Sequence, residues 1–128
     1  MIGPQVQKAI YDALTASPAV AGGRVYDRVP AGVSDYVTIG EEQIVGDGNS
    51  CGDGWEVFAD IHVWSEAVGF PIAKATAATI VDRITAITSV SGGFQVILAE
   101  LQDQRALRDP DGLTSHIVCS FRFIIDQA

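Results

Sequence analysis

From Trp55 to Val63 the chain alternates. Trp55, Val57, Ala59, Ile61 and Val63 are apolar, while Glu56, Phe58, Asp60 and His62 fill the positions between them. A period of two with one apolar face predicts a half-buried strand in an antiparallel sheet. The C-terminal run has the same rhythm, with Leu113, Ile117, Cys119, Phe121, Phe123 and Ile125 on one face and Thr114, His116, Ser120 and Arg122 on the other. It predicts a strand over 113–126, joined to another over 94–107 by the turn formers Asp109-Pro110-Asp111-Gly112. Asp35 to Ile44, with Val37 and Ile39 on one side, reads as the partner of the 55–63 strand. That pair makes a hairpin whose tip is the glycine-rich tract 46–54. A short strand over Arg24–Asp27 precedes the turn formers Pro30-Ala31-Gly32.

Two segments carry the other period. After Pro4, Val6, Ile10, Ala13 and Leu14 recur at three- and four-residue steps, predicting an amphipathic helix over 4–16 that Ser17-Pro18 ends. Pro71 opens a second, roughly 70–89, whose stripe is Ala73, Ala77, Ile80, Ile84 and Ile87. Gly92-Gly93 stops that segment. The order is helix, strands, hairpin, helix, hairpin, with no sustained strand–helix alternation, so a doubly wound parallel sheet is disfavoured. The expected fold is α+β: one mainly antiparallel sheet with two helices packed on a single face, in one domain spanning 1–128.

Composition narrows the function class. At 128 residues and 48% hydrophobic the chain has enough apolar material for one core. No apolar window approaches the roughly 18 residues a membrane span needs. The N-terminus, Met1 to Gln5, lacks a basic and apolar leader pattern, which predicts a soluble protein made in the cytoplasm. Cys51 and Cys119 are then expected as reduced thiols. Neither has a second Cys or a His at zinc-ligand spacing. The net charge of −8 argues against a duplex-binding surface, which needs clustered Lys and Arg. No Lys or Arg occurs between Arg28 and Lys74, yet Asp35, Glu41, Glu42, Asp47, Asp53, Glu56, Asp60 and Glu66 lie there. That middle segment carries the whole imbalance. It reads either as a solvated hairpin face or as a functional acidic surface.

The tract VGDGNSCGDGWE raises two chemical possibilities. Gly48-Asn49-Ser50-Cys51-Gly52 matches G-x-S-x-G, but a nucleophile elbow needs a strand before the serine and a helix after it, and here a strand follows. His62 and His116, which would have to complete a triad, fall on polar strand faces, where a solvated or neighbour-bonded histidine is the common case. Asp47-x-Asn49 begins a calcium loop, but Cys51 stands at its fifth position and Phe58 at its twelfth, where a carboxylate is required. No phosphate-cradling Gly-Lys-Ser/Thr motif occurs, no His/carboxylate cluster sits on one element, and no basic–aromatic platform for nucleic acid is present. No catalytic residue, metal or cofactor is expected. The tract reads as a flexible hairpin tip. Phe58 and Trp64, aromatic on polar strand faces, favour a contact surface.

Several stretches taken in order resemble a known family. VQKAIYDALTA leads into GRVYDRVPAGVSDYVTIGEE, then DIHVWSE, a helix rich in Ala, Ile and Val, and the terminal SHIVCSFRFII. The pattern spans roughly 5–125 and resembles the tail-completion proteins, or tail terminators, of long-tailed bacteriophages and gene transfer agents. Asp35 stands before Tyr36 where the family pattern has proline. The resemblance implies a structural virion protein, assembled in the host cytoplasm and located at the head–tail interface. It implies a homo-oligomer, a hexameric ring, capping the tail tube and joining tube protein to head–tail connector proteins. DNA would pass through without specific binding, and no membrane, substrate or cofactor would be involved. In such a ring Asp35, Glu41, Glu42, Asp47, Asp53, Glu56 and Asp60 would line the lumen or an interface. The alternatives are another head–tail connector or tail-tube ring protein and, from a different class, a small enzyme or ligand-binding module using the 45–56 loop as a lid.

Overall fold

The computed structural model describes residues 2–30, 32, 35–46, 54–66, 70–108 and 114–127. Its elements are helix α1 (Gly3–Thr15), a 3-10 turn at Val20–Gly23, strands β1 (Val25–Tyr26), β2 (Tyr36–Gly46) and β3 (Gly54–Ser65), helix α2 (Pro71–Thr85), and strands β4 (Ser89–Val90), β5 (Phe94–Arg108) and β6 (Ser115–Gln127). The six strands form one sheet in the order β1-β2-β3-β6-β5-β4. The two long hairpins, β2–β3 and β5–β6, therefore meet at the β3–β6 seam in the middle.

The α+β class stands, but the sheet is mixed where an antiparallel one was expected. β1 runs parallel to β2, with Val25 opposite Val37, while the other four pairings are antiparallel. The reason lies in the connection. The chain leaves β1 through nine residues, 27–35, instead of a tight hairpin, and returns in the same direction. Only a tight turn forces antiparallel neighbours.

The second correction concerns the end of α2. The periodic stripe suggested a helix to about residue 89, but the helix stops at Thr85. Ile87 to Val90 is largely β-branched, a composition that favours an extended chain. Ser89-Val90 pairs with Gln95-Phe94 as β4, a strand absent from the sequence reading. The intervening Gly92 and Gly93 have φ of 94° and 82°, which side-chain-bearing residues rarely adopt, so these two glycines make the turn possible.

The core is one cluster. It combines Val6, Ile10 and Leu14 of α1, Ala73, Ala77, Ile80 and Ile84 of α2, and the odd-numbered rows Val57–Val63 of β3 and Ile117–Ile125 of β6. Phe121 and Phe123 are the largest fully buried side chains, each removing enough apolar surface from water to contribute about 2–3 kcal/mol. The tip 47–53 and the 109–113 turn lie outside the described residues.

Candidate functional site: the open face of the sheet

Because β3 and β6 bury their odd-numbered rows, their even-numbered side chains project from the opposite face, here called the open face. Register then decides which of them meet. Trp64 sits directly across from His116, and His62 across from Val118, one step diagonal from His116. The result is a stack of flat rings. Trp64 lies on His116 at 3.6 Å between centroids and 12° between planes, His62 on His116 at 5.0 Å, and Tyr36 on Trp64 at 6.0 Å. Tyr26 extends the row from β1 at 6.4 Å from Tyr36. The buried Trp64 Nε1 has no hydrogen-bond partner among the described residues.

His62 holds the row to the acids. Its Nδ1 is 2.8 Å from Nε2 of His116, and its Nε2 is 3.2 Å from Oε2 of Glu41. An ionised carboxylate only accepts, so His62 donates from Nε2 to Glu41 and, while neutral, accepts at Nδ1 from His116. The Glu41 carboxyl is held below its ordinary value, chiefly by a hydrogen bond from its own backbone and next by the one from His62.

Glu41 reaches this position through a β-bulge. Ile39 pairs with Ile61 and Glu42 with Ala59, so Gly40 and Glu41 together oppose Asp60 alone. The extra residue swings Glu42 to the side of Ala59, and Gln43 returns to the open face opposite Phe58. Gly40 is required by close approach: a Cβ there would stand 2.7 Å from the His62 ring and 3.1 Å from the Asp60 carbonyl oxygen. One donor atom from each of Glu41, Asp60 and His62 lies within 4.8 Å of the others. An open hollow of about 330 Å³, lined among others by Glu41, Gln43, Phe58, Asp60 and Ser120, adjoins them.

A second charged group lies further along the same face. Arg122 of β6 donates from Nε to Glu56 of β3 and from Nη1, at 3.1 Å, to Glu100 of β5. These two hydrogen bonds, Glu56 first, raise the Arg122 pKa. They also lace three neighbouring strands together.

The candidate acids thus separate. Glu41, Glu56 and Asp60 face the open side, Glu56 with its charge met by Arg122. Asp35 works locally at the strand ends: its Oδ1 accepts from the backbone N–H of Glu66 at 2.8 Å, and its carbonyl oxygen accepts from Arg24 Nε. Glu42 lies toward the start of α1, 3.3 Å from where a Gly3 Cβ would stand, and burial pushes its carboxyl up. Asp47 and Asp53 lie outside the described residues, as do Ser50 and the calcium-like loop. What the structure does give is the context of that tip: it joins β2 directly to β3, so a strand and not a helix follows the G-x-S-x-G pattern. Cys119 is a buried free thiol, pushed up to about 11 by burial. Among the described residues no helix is long and apolar enough to cross a membrane.

His116 and Arg122 were missed as site residues, and Trp64 was read only as a contact aromatic, because their partners on neighbouring strands lie 22 to 66 positions away in sequence. The available signal was the alternation of both strands, which puts each on a polar face, but not which neighbour it meets.

These features define a class first: a single-domain α+β protein whose mixed six-stranded sheet buries one face and presents histidines, aromatics and charges on the other. Residues 8–126 match the family described as tail completion protein gp17, and the chain belongs to that family. A comparison with curated proteins finds no match. Among solved structures, a chain from the virion of a native gene transfer agent particle is 28% identical, with a TM-score of 0.87 over 98% of this chain and 97% of that one. The protein is therefore a tail-completion structural virion protein.

Proposed function

We propose that the protein closes into a ring, a hexamer, that caps the finished tail tube and presents the surface on which head-side connector proteins dock. The observation that carries this reading is the outer edge of β5. β4 and the preceding Thr88 cover it only at Phe94, Gln95 and Val96, so from Ile97 to Arg108 no further strand among the described residues pairs with it. Ile97 and Leu107 are about half exposed on this strand (55% and 45%), and Leu98 is also exposed. A long strand edge with unpaired N–H and C=O groups and exposed Ile97 and Leu98 near its start is an aggregation hazard in a monomer, and strand or side-chain pairing between copies in a closed ring removes it. At the other end of the sheet β1 shields only the first residues of β2. The gene transfer agent relative belongs to a virion, which supports a place for this chain in a virion tail, in contact with other tail and head proteins.

In this reading the two helices cover one face of the sheet and leave the other for neighbouring subunits or the lumen. Glu41 and Asp60 on the open face, with Asp47 and Asp53 of the tip, supply an acidic lining, which repels phosphate and lets DNA slide where basic walls would hold it. The work is mechanical and needs no catalysis.

Light scattering on the purified protein, alone and with tail-tube protein, tests the ring. A sixfold mass in either condition is expected, and a monomer in both would refute it. Ile97→Asp combined with Leu98→Lys is expected to keep the monomer's melting temperature within a few degrees while abolishing the assembly. Assembly unimpaired by both charges would remove β5 from the interface.

A further inference from the structure

We propose that Glu41, Asp60 and His62 form a binding site for a divalent transition-metal ion of the zinc type, clipping β2 to β3 on the open face. The donor set is one imidazole nitrogen and two carboxylate oxygens, the combination that suits zinc and its neighbours, whereas an all-oxygen shell suits magnesium or calcium. The spacing is near what a shared ion requires. Two donors each about 2.1 Å from a tetrahedral zinc stand roughly 3.4 Å apart, and His62 Nε2 and Glu41 Oε2 are 3.2 Å apart. Asp60 completes a set whose donor atoms all fall within 4.8 Å of one another.

Three features of the surroundings fit a built site. The bulge at Gly40-Glu41 brings Glu41 to the side of Asp60 and His62, away from its neighbour Glu42. Gly40 has no Cβ, which gives the His62 ring room to lie over the bulge. His62 also has the outer partner that metal-bound histidines use. When Nε2 takes the ion in place of a proton, Nδ1 carries the proton and donates it to His116 Nε2, already 2.8 Å away. The swap needs only the other neutral tautomer of each ring, and His116 is oriented for it by the Trp64 stack. Two carboxylates beside one imidazole carry excess negative charge, which a dication neutralises. Glu41 is 79% exposed while His62 is 17% exposed, and the adjoining hollow gives an ion a path from solvent. The remaining coordination positions are left to water. The site does not depend on the ring.

The test uses the full chain without an affinity tag and with Cys51→Ser, so that no thiol in the tip competes for zinc. After chelator treatment and dialysis, titration with zinc chloride by calorimetry at neutral pH is expected to give one ion per chain with a Kd on the order of 10 µM or tighter. Glu41→Gln and Asp60→Asn should each weaken it at least tenfold without shifting the metal-free melting temperature, while Glu42→Gln should change nothing. Nickel should quench the Trp64 share of the fluorescence, and the Trp64→Phe protein should lose that quench. Millimolar zinc affinity, binding unaltered by either carboxylate change, or equal affinity for magnesium would each overturn the proposal.

Discussion

Arg83 of α2 holds the C-terminal end of α1. The last turn of α1 contains no basic residue, so its free carbonyls and the negative end of its dipole have no partner of their own. The Arg83 guanidinium fills that role from the neighbouring helix. Nη1 donates to the carbonyl oxygens of Ala13 at 3.2 Å, Leu14 at 3.4 Å and Ala16 at 2.8 Å, and Nη2 donates to that of Pro18. Arg83→Ala removes every one of these bonds at once. A hydrogen bond to a charged group contributes about 1.5–3 kcal/mol, but these share one partly exposed side chain and water replaces some of them on removal, so the whole group is worth about 2–3 kcal/mol. For a domain of this size that lowers the melting temperature by roughly 8–12 °C.

The assay is urea unfolding followed by circular dichroism, with the m-value as an internal check. An unchanged slope with a lower midpoint marks a loss of stability and not a change in the unfolded state. Arg83→Lys keeps the charge but offers a single ammonium in place of a planar fork, and should recover about half of the loss. Asp82→Ala, at an exposed position beside it, should stay within about 0.5 kcal/mol of the parent. Two results would refute the reasoning. Arg83→Ala within about 0.5 kcal/mol of the parent would mean water replaces the capping bonds without loss, and Arg83→Lys equal to the parent would mean charge alone suffices.

Gly40→Ala is expected to lower stability by about 1–3 kcal/mol, since its methyl group would meet the His62 ring and the Asp60 carbonyl. The His62 and His116 ring signals in NMR spectra should move together in that variant; unmoved signals with unchanged melting would mean the bulge absorbs the methyl elsewhere. Burial raises the Cys119 thiol to about 11, so it is protonated below that value and becomes a thiolate only as pH climbs through it. Near pH 8 only about one Cys119 in a thousand is then ionised, and in a Cys51→Ser protein a disulfide reagent should leave it untouched until denaturant is added. Stoichiometric labelling of the native protein within minutes would contradict that burial.

The parts of this fold legible in sequence are those fixed by local period. Val57 to Val63 and Ile117 to Ile125 alternate, and they are the inner rows of the two central strands. Val6, Ile10 and Leu14 step as a helix stripe and are buried as one. Where a long-range choice competes with local pattern, sequence alone misleads. Ile87 continues the stripe of α2, yet the chain there turns into β4 because Phe94 and Gln95 offer backbone partners that a further helical turn would forgo. The direction of β1 was equally hidden, since its parallel pairing with β2 depends on the path of the connection and not on Val25 or Tyr26.

Glu41 and Glu42 show why the candidate site was harder to read than the fold. By strict alternation Glu42 would share a face with Gly40 and His62's partner Thr38, and Glu41 would point the other way. The bulge reverses the assignment: Glu42 falls into register with the buried Ala59, and Glu41 reaches His62. A one-residue shift exchanges every side chain between faces, so the chemistry of two adjacent and chemically alike residues rests on one irregularity of pairing. The sequence carries a trace of it, because a glycine inside a strand is costly unless a bulge or a close approach needs it. Gly40 satisfies both conditions, since the His62 ring occupies the space a Cβ would take. His62 thereby touches an acid through one nitrogen and a second histidine through the other, an arrangement spread over β2, β3 and β6 that no single element contains.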